Sequence, residues 1–286
     1  MPRRLSLSSR AATAARWPLG VLVTGWDYLW RTTPMHRHEE AGSVPDDMPP
    51  PLPLGTDCSE LQGVEDGVGP LMHRRFTTRV REAELDAEQL IATFAAKPNR
   101  AAPTALASFV KVRGEEGRLR VGDEFTVRMP GPWDGPVRTV EVGPTSFGFV
   151  TLDGHLEAGR IRFSVRDLGP GRLEIGIESW ARGGDRVASL LFDRLPLNKE
   201  VQLHMWTSVL EQLTDLSGGR RDGLVEIATR RVDPRELARV GGGSAPADEG
   251  GAAQLRGQGG APAQQRAVGD RDERDLPAPH PEQHPA

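Results

Sequence analysis

Apolar and polar residues alternate along the middle of the chain in short runs, and turn residues separate the runs. In the first run, Met72, Phe76 and Val80 fall on one face of a strand, and the arginines and threonines between them are predicted to face water. Further strands are predicted at 107–112, 122–129, 136–142, 146–152, 159–167 and 172–180. Because short glycine, proline and aspartate turns connect these strands, we expect antiparallel neighbours.

Two helices are predicted beside the strands. Asp86 and Gln89 stand at the two ends of a capping-box pattern, which opens a short helix that ends before Pro98. A long amphipathic helix is predicted over 185–216, with a break or restart at Pro196. At about 100° per residue, its apolar stripe consists of Val201, Met205, Val209, Leu213 and Leu216. The opposite side, predicted to be solvated, consists of Glu200, His204, Thr207 and Glu211.

Composition divides the chain into four predicted segments. Residues 1–42 form an arm with a short tryptophan-rich helix, 43–68 a proline-rich linker, 69–232 the globular domain, and 233–286 a disordered tail with few large apolar residues. Within the domain, 223–232 is predicted to be an edge strand or a tail segment. The basic and apolar run near the amino terminus lacks a small-residue cleavage site, so we do not interpret it as a signal peptide. No run reaches the roughly 20 apolar residues of a membrane span.

Three tryptophans of the arm, Trp17, Trp26 and Trp30, allow two interpretations. Tryptophan beside arginine suits a helix that docks on a membrane surface or a partner protein. Alternatively, the indoles pack on the protein's own domain, since an exposed aromatic stripe is unfavourable.

Charge and cysteine content exclude several classes of function. The formal net charge is −4, with no basic block in the middle of the chain, which argues against nucleic acid as the main partner. Cys58 is the only cysteine, so an intrachain disulfide and a thiolate-rich metal site are both excluded. A reducing, cytoplasmic location and the absence of a cofactor or metal are therefore expected.

Several long phrases of the domain resemble a known family. VGDEFTVRMPGPWDGPVRTVEV, PTSFGFVTLDGHLEAGRIRF and IESWARGGDRVASLLFDRL are similar to the uncharacterised bacterial and plant family DUF1990. The order of predicted elements also resembles the helix-grip fold of the START and Bet v 1-like superfamily. This resemblance implies an α+β fold in which a curved antiparallel sheet of about seven strands packs on a long C-terminal helix. It also implies a cavity that binds a hydrophobic or amphipathic small molecule.

The densest polar cluster of the domain is the run Asp153-Gly154-His155-Leu156-Glu157. His155 and Glu157 are candidates for an acid–base pair that acts on a ligand in the cavity. The Cys-x-x-Cys of zinc deaminases is missing, so that identification fails. Because Asp-Gly is also a hairpin signal, the alternative is a structural turn with polar neighbours.

The predicted ligand-binding residues are Trp133, Glu178, Trp180, Met205, Trp206 and Val209. Aromatic residues clamp apolar ligands, but they are also common core residues. Glu178 would have a raised pKa if its strand directs it inward, because burial disfavours the charged form. Three functions stay open: a binder of hydrophobic small molecules, an enzyme that uses His155 and Glu157, and an adaptor that docks through its tryptophan-rich arm.

Overall fold

The computed structural model describes residues 35–102, 107–128, 134–184 and 196–241. Within them the strands are β1 Met35–Ala41, β2 Val68–Arg81, β3 Ser108–Arg113, β4 Glu124–Arg128, β5 Asp134–Val142, β6 Ser146–Thr151, β7 Glu157–Gly169, β8 Arg172–Gly183, β9 Arg220–Arg221 and β10 Val225–Val232. The helices are α1 Val44–Asp47, α2 Ala87–Ala96, α3 Pro196–Leu216 and α4 Pro234–Gly241. Short 3₁₀ turns cover Val64–Asp66 and Pro98–Arg100. No helix among the described residues has the length and apolar character that crossing a membrane requires.

The strands form one large, curved, open sheet in the order β1-β10-β2-β8-β7-β6-β5-β4-β3, with β9 paired to β2. Neighbours are antiparallel except β1 and β10, which are parallel. The α+β class is confirmed, but the described residues form ten strands and not about seven. The seven predicted strands correspond to β2–β8, and the additional strands extend the sheet beyond β2. Residues 225–232 do form a strand, but it lies between β1 and β2 and is not at the edge.

Two local signals of the sequence have the predicted structure. The Asp86 side chain accepts a hydrogen bond from the Gln89 backbone N–H at 2.8 Å, and the Gln89 side chain accepts one from the Asp86 N–H at 3.1 Å. This capping box opens α2. Asp153 and Gly154 form the turn between β6 and β7, and Gly154 has the positive φ of 93° that favours glycine.

Aromatic rings fill the space between the middle of the sheet and helices α2 and α3. Phe94 of α2 lies 5.1 Å from Phe147 and 5.2 Å from Phe163 between ring centroids. Trp206 of α3 lies 5.9 Å from the same Phe163 ring. Offset and edge-on ring pairs at these distances are favourable beyond the apolar area that they bury. The main core therefore occupies much of the region where a sheet–helix cavity was predicted.

Helix α3 departs from its prediction in two respects. It is described from Pro196, since 185–195 lie outside the described residues, and it is followed by β9, β10 and α4, so it is not the C-terminal element. Met205, Val209 and Leu213 are buried as predicted, but His204 and Thr207, predicted to be solvated, are only 8% and 1% exposed. The Thr207 hydroxyl donates to the Leu203 carbonyl at 2.9 Å, which satisfies it without water. A helix covered on more than one side does not follow a single-stripe pattern.

The burial of strand β2 differs from the prediction that the arginines and threonines of this run face water. Phe76 and Val80 are buried as expected, but Arg74 and Thr78 are buried as well. In a strand, residues two apart share a face, so Arg74 and Thr78 point to the same side as Phe76 and Val80. The arginines and threonines of this run are thus divided between the two faces of the sheet.

The opposite face of the sheet is crossed by residues 43–66, which we call the strap. A small apolar cluster joins it to the sheet, and its buried members are Val44, Val64, Leu71, Trp180 and Val232. Buried arginines of the sheet hold the strap backbone: Arg138 donates to the Ser59 carbonyl at 2.7 Å, and Arg160 donates to the Pro50 carbonyl at 2.9 Å. The proline-rich segment predicted as a linker therefore packs along the sheet over much of its length.

The β3 edge of the sheet is paired with a side chain. The Asn99 amide donates to the Phe109 carbonyl at 2.8 Å, and the Phe109 N–H donates back to Asn99 Oδ1 at 2.7 Å. This pair of bonds imitates a strand neighbour and satisfies two edge groups that would otherwise be open to another strand.

Candidate functional site

A mostly apolar cleft of about 410 Å³ lies between α2, the β3–β4 loop and the β5–β6 turn. We call it the α2 cleft. Its apolar walls are Ile91, Ala92, Ala95, Ala96, Leu119, Val142, Pro144 and Phe147. Glu88, Arg118 and Arg120 also line it and bring charge to its rim. The cleft thus combines a hydrophobic interior with a small number of polar groups, as ligand pockets generally do.

Small residues on one side of α2 create this space. The helix directs Leu90 and Phe94 into the main core, whereas Ala92, Ala95 and Ala96 line the cleft. Ala95 and Ala96 each lie about one turn from Ala92 on the helix surface, so the three residues form a continuous shallow strip. A methyl side chain fills little volume, and the strip therefore leaves room for another molecule.

A buried lysine holds the opposite wall in place. Lys111 Nζ donates to Asp123 Oδ2 at 2.8 Å and to the Glu115 carbonyl at 2.7 Å, and it also bonds the Arg118 carbonyl. Asp123 Oδ2 in turn accepts the Arg120 N–H at 3.0 Å. Because charge-assisted bonds in a buried site are strong, this network fixes the loop that presents Arg118 and Arg120 to the cleft.

The residues predicted from the sequence to bind a ligand do not form one site. Val209 belongs to the main core, and Trp206 packs against that core. Met205 forms a small separate cluster with Ala107. Glu178 and Trp180 lie on the other face of the sheet, under the strap. Trp133 lies outside the described residues. Their role in ligand binding stays a prediction, but these positions are divided between two faces of the sheet.

Glu178 belongs to a charged network that links the strap to the sheet. His73 Nε2 bonds Glu178 Oε1 at 2.9 Å, and His73 Nδ1 bonds Asp47 Oδ1 at 2.8 Å. The imidazole also stacks on Trp180 with ring centroids 5.1 Å apart. Arg75 Nη2 donates to Glu178 at 2.7 Å and Arg230 Nε lies 2.9 Å from Asp47 Oδ1, so each carboxylate also has a guanidinium partner.

The network sets the protonation of its members. Burial alone would lower the pKa of His73, but the bonds to Glu178 and Asp47 raise it above the ordinary value. Burial would raise the pKa of Glu178, yet the bonds from His73 and Arg75 hold it below its usual range. Asp47 behaves in the same way, with a lowered pKa. The two carboxylates therefore favour protonation of the imidazole, and its fixed partners indicate a structural role.

His155 is held by the hairpin that Asp153 and Gly154 form. Its Nδ1 accepts a hydrogen bond from the Glu157 backbone N–H at 2.9 Å, while the Gln62 amide donates to the His155 and Glu157 carbonyls at 3.1 Å each. Burial lowers the pKa of His155 to about 4, against a small opposing effect of the Glu157 bond. Such an imidazole is neutral near pH 7 and is a weak proton acceptor. Catalysis by His155 and Glu157 stays a prediction.

Sequence reasoning missed both the contact between Asp47 and His73 and the α2 cleft, for different reasons. Asp47 and His73 are distant in the chain and carry no shared motif, so no local signal points to their contact. The α2 cleft had one signal: Ala92, Ala95 and Ala96 stand at helical spacing on a helix that also carries the large apolar residues Leu90, Ile91 and Phe94. A strip of alanines beside a predicted core face indicates either close packing or open space.

Comparison with known proteins finds solved structures with low similarity to part of the chain. No curated protein matches the chain. A START superfamily protein from Mycobacterium smegmatis is 17% identical, over 51% of this chain and 97% of that one, with a TM-score of 0.37. Norcoclaurine synthase from Thalictrum flavum is 12% identical, over 53% and 87%, with a TM-score of 0.38. The di-domain ARO/CYC StfQ from the steffimycin biosynthetic pathway is 13% identical, over 54% and 52%, with a TM-score of 0.39.

The family match lies in the middle of the chain. Residues 101–211 match the family described as a domain of unknown function, DUF1990. This range begins before β3 and ends within α3, so it contains the β3–β4 loop and the β5–β6 turn of the α2 cleft. The family resemblance seen in the sequence is confirmed over residues 101–211, which are less than half of the chain.

Proposed function

We propose that the protein binds an amphipathic small molecule in the α2 cleft, with an apolar chain along the alanine strip and an acidic head group at the arginine rim. The observation that carries this proposal is the cleft itself, apolar along Ile91, Ala95 and Phe147 and bordered by Arg118 and Arg120. Its volume of about 410 Å³ is in the range of small-molecule sites.

Hydrophobic burial stabilises the apolar chain of the ligand, and charge stabilises its acidic head group. Each methylene that leaves water contributes about 0.8 kcal/mol, so a short acyl or aryl group is sufficient for measurable binding. At the rim, the lining charges are those of Arg118, Arg120 and Glu88, and Arg120 also lies 3.4 Å from Glu115 Oε2. We therefore assign the anionic head to Arg118. A guanidinium also binds a carboxylate through two parallel N–H donors.

Native mass spectrometry of the purified full-length protein tests for a co-purifying small molecule, and a fluorescence titration tests the site. The probe is undecanoic acid that carries a dansyl group. Ala95→Leu fills the cleft with a larger apolar side chain and is expected to weaken probe binding about tenfold or more, equivalent to about 1.4 kcal/mol.

The matched control is Thr93→Leu, which adds an apolar side chain to the same helix outside the residues that line the cleft. It is expected to leave probe binding within about twofold of the parent, a change of about 0.4 kcal/mol. Dodecylamine serves as a second competitor, and it should compete less well than dodecanoate. Equal binding by parent and Ala95→Leu, or equal competition by the amine, contradicts the proposal.

A further inference from the structure

A second cleft, of about 530 Å³, lies at the other end of the molecule's core, between the second half of α3 and strands β2, β9 and β10. We call it the α3 cleft. It is lined by Thr78, Ser208, Leu210, Glu211, Gln212, Thr214, Asp215, Gly219, Arg220, Arg221 and Val225. None of these residues lines the α2 cleft. In contrast to the α2 cleft, most of its walls are polar.

Thr78 is the informative residue of the α3 cleft. It is 2% exposed, and its hydroxyl has no hydrogen-bond partner in the described structure. A buried hydroxyl without a partner destabilises a fold, so such groups are uncommon unless something else satisfies them. The nearby Thr214 has no such need, because its hydroxyl donates to the Leu210 carbonyl at 2.8 Å. Thr78 therefore has an unused hydrogen-bonding group at a cleft wall.

The charges of the α3 cleft balance. Glu211 and Asp215 provide two carboxylates, and Arg220 and Arg221 provide two guanidinium groups, so the formal charge of these side chains is zero. Arg221 Nη1 lies 3.6 Å from Glu211 Oε1, so two of these opposite charges form an ion pair within the wall. The walls thus offer both donors and acceptors without a field that selects an anion or a cation.

We propose that the α3 cleft binds a neutral polyhydroxylated small molecule, of the sugar or polyol class, with the Thr78 hydroxyl as one of its hydrogen-bond partners. A hydroxyl-rich ligand donates and accepts at once, which matches carboxylates, guanidinium groups and hydroxyls on one wall. A volume of about 530 Å³ is in the range of small-molecule sites. The site is separate from the α2 cleft, so the two proposals stand or fall independently.

The test uses the full-length protein and saturation-transfer NMR with glucose, trehalose, myo-inositol and glycerol as probes, followed by titration of any probe that binds. Thr78→Val keeps the shape of the side chain and removes the hydroxyl. It is expected to weaken the bound probe about tenfold or more, in line with the loss of a buried hydrogen-bond partner. Because the hydroxyl has no protein partner, its removal should not lower the urea midpoint.

Thr139→Val is the matched control. Thr139 is also a buried threonine on a strand with an unpartnered hydroxyl, but it lines neither cleft. It should leave probe binding unchanged within about twofold. If Thr78→Val fails to fold, Gln212→Ala replaces it as the test variant. Gln212 also lines the α3 cleft, so this variant should weaken probe binding as well.

Three results overturn the proposal: no probe binds, Thr78→Val binds as tightly as the parent, or Thr139→Val weakens binding to the same extent. Competition by dodecanoate separates this site from the α2 cleft. If dodecanoate leaves the NMR signal of the bound sugar or polyol unchanged, the two clefts are independent sites. If dodecanoate abolishes that signal, the proposal of separate binding is contradicted.

Discussion

The bridge from Asp47 through His73 to Glu178 makes a quantitative prediction about how the strap is held. His73→Phe keeps an aromatic ring for the stack on Trp180 but removes both N–H donors to the carboxylates. A hydrogen bond to a charged group contributes about 1.5–3 kcal/mol. Two such bonds give about 3–6 kcal/mol, and the remaining arginine partners offset part of the loss. We expect His73→Phe to lower the free energy of unfolding by about 2–4 kcal/mol.

The loss should depend on pH with a definite sign. The folded-state pKa of His73 is raised above the ordinary histidine value of about 6.5, so its contribution is fully present below about pH 6.5 and declines as the pH rises through the folded pKa. Asp47 and Glu178 have lowered pKa values and stay ionised over this window. The charged groups that face the imidazole are those two carboxylates with their partners Arg75 and Arg230. The difference between parent and His73→Phe should therefore shrink from mildly acid to alkaline pH.

Urea unfolding at about pH 5.5 and about pH 9, on either side of the ordinary histidine pKa, measures both quantities. His36→Phe is the control, because His36 pairs with Glu226 at 2.8 Å but both side chains are more than half exposed. An exposed pair contributes about 0–1 kcal/mol, so this variant should change little. A loss below about 1 kcal/mol for His73→Phe, or the same loss at both pH values, would refute the reasoning.

Other contacts make further predictions. Asn99→Ala removes both bonds to Phe109 and should cost about 1–2 kcal/mol, with faster hydrogen exchange at the Phe109 amide. Asp86→Ala removes the cap of α2 and should cost about 1 kcal/mol in a thermal melt, with no loss expected for Asp86→Asn. Arg138→Met leaves the strap carbonyls without this donor and leaves Glu124 with Arg113, so we expect about 2–4 kcal/mol in urea and faster proteolysis of the strap; unchanged cleavage would contradict this role.

Features encoded by neighbouring residues could be predicted from the sequence. The capping box of α2 and the Asp153-Gly154 turn each depend on a few adjacent positions, and both have the expected geometry. The strands from β3 to β8 follow each other as antiparallel neighbours, and the connection from β2 to β3 crosses the sheet so that β2 pairs with β8. Turns and alternation were sufficient to find these strands. The family was recognisable because long phrases, and not single motifs, carried it.

Features that depend on distant contacts could not be predicted. The strap looks like a linker because its prolines and polar residues give no periodicity, and its place is fixed by Arg138 and Arg160 on remote strands. The side of β2 that carries Arg74 and Thr78 was assigned by residue type, although alternation places them with Phe76. The α2 cleft also depends on contacts between distant residues, since its walls come from three separate parts of the chain, and it was therefore missed.

The parallel pairing of β1 with β10 has a consequence for the order of folding. Its register places Met35 opposite Val225, so the pairing joins residues 190 positions apart, and within the described sheet β10 is the one neighbour of β1. On the ribosome β1 emerges early, but its partner is synthesised almost two hundred residues later, whereas most strands from β3 to β8 meet a neighbour within a hairpin. Completion of the sheet at this edge is consequently a late event in synthesis, and a nascent chain that ends before Val225 holds β1 without its partner strand.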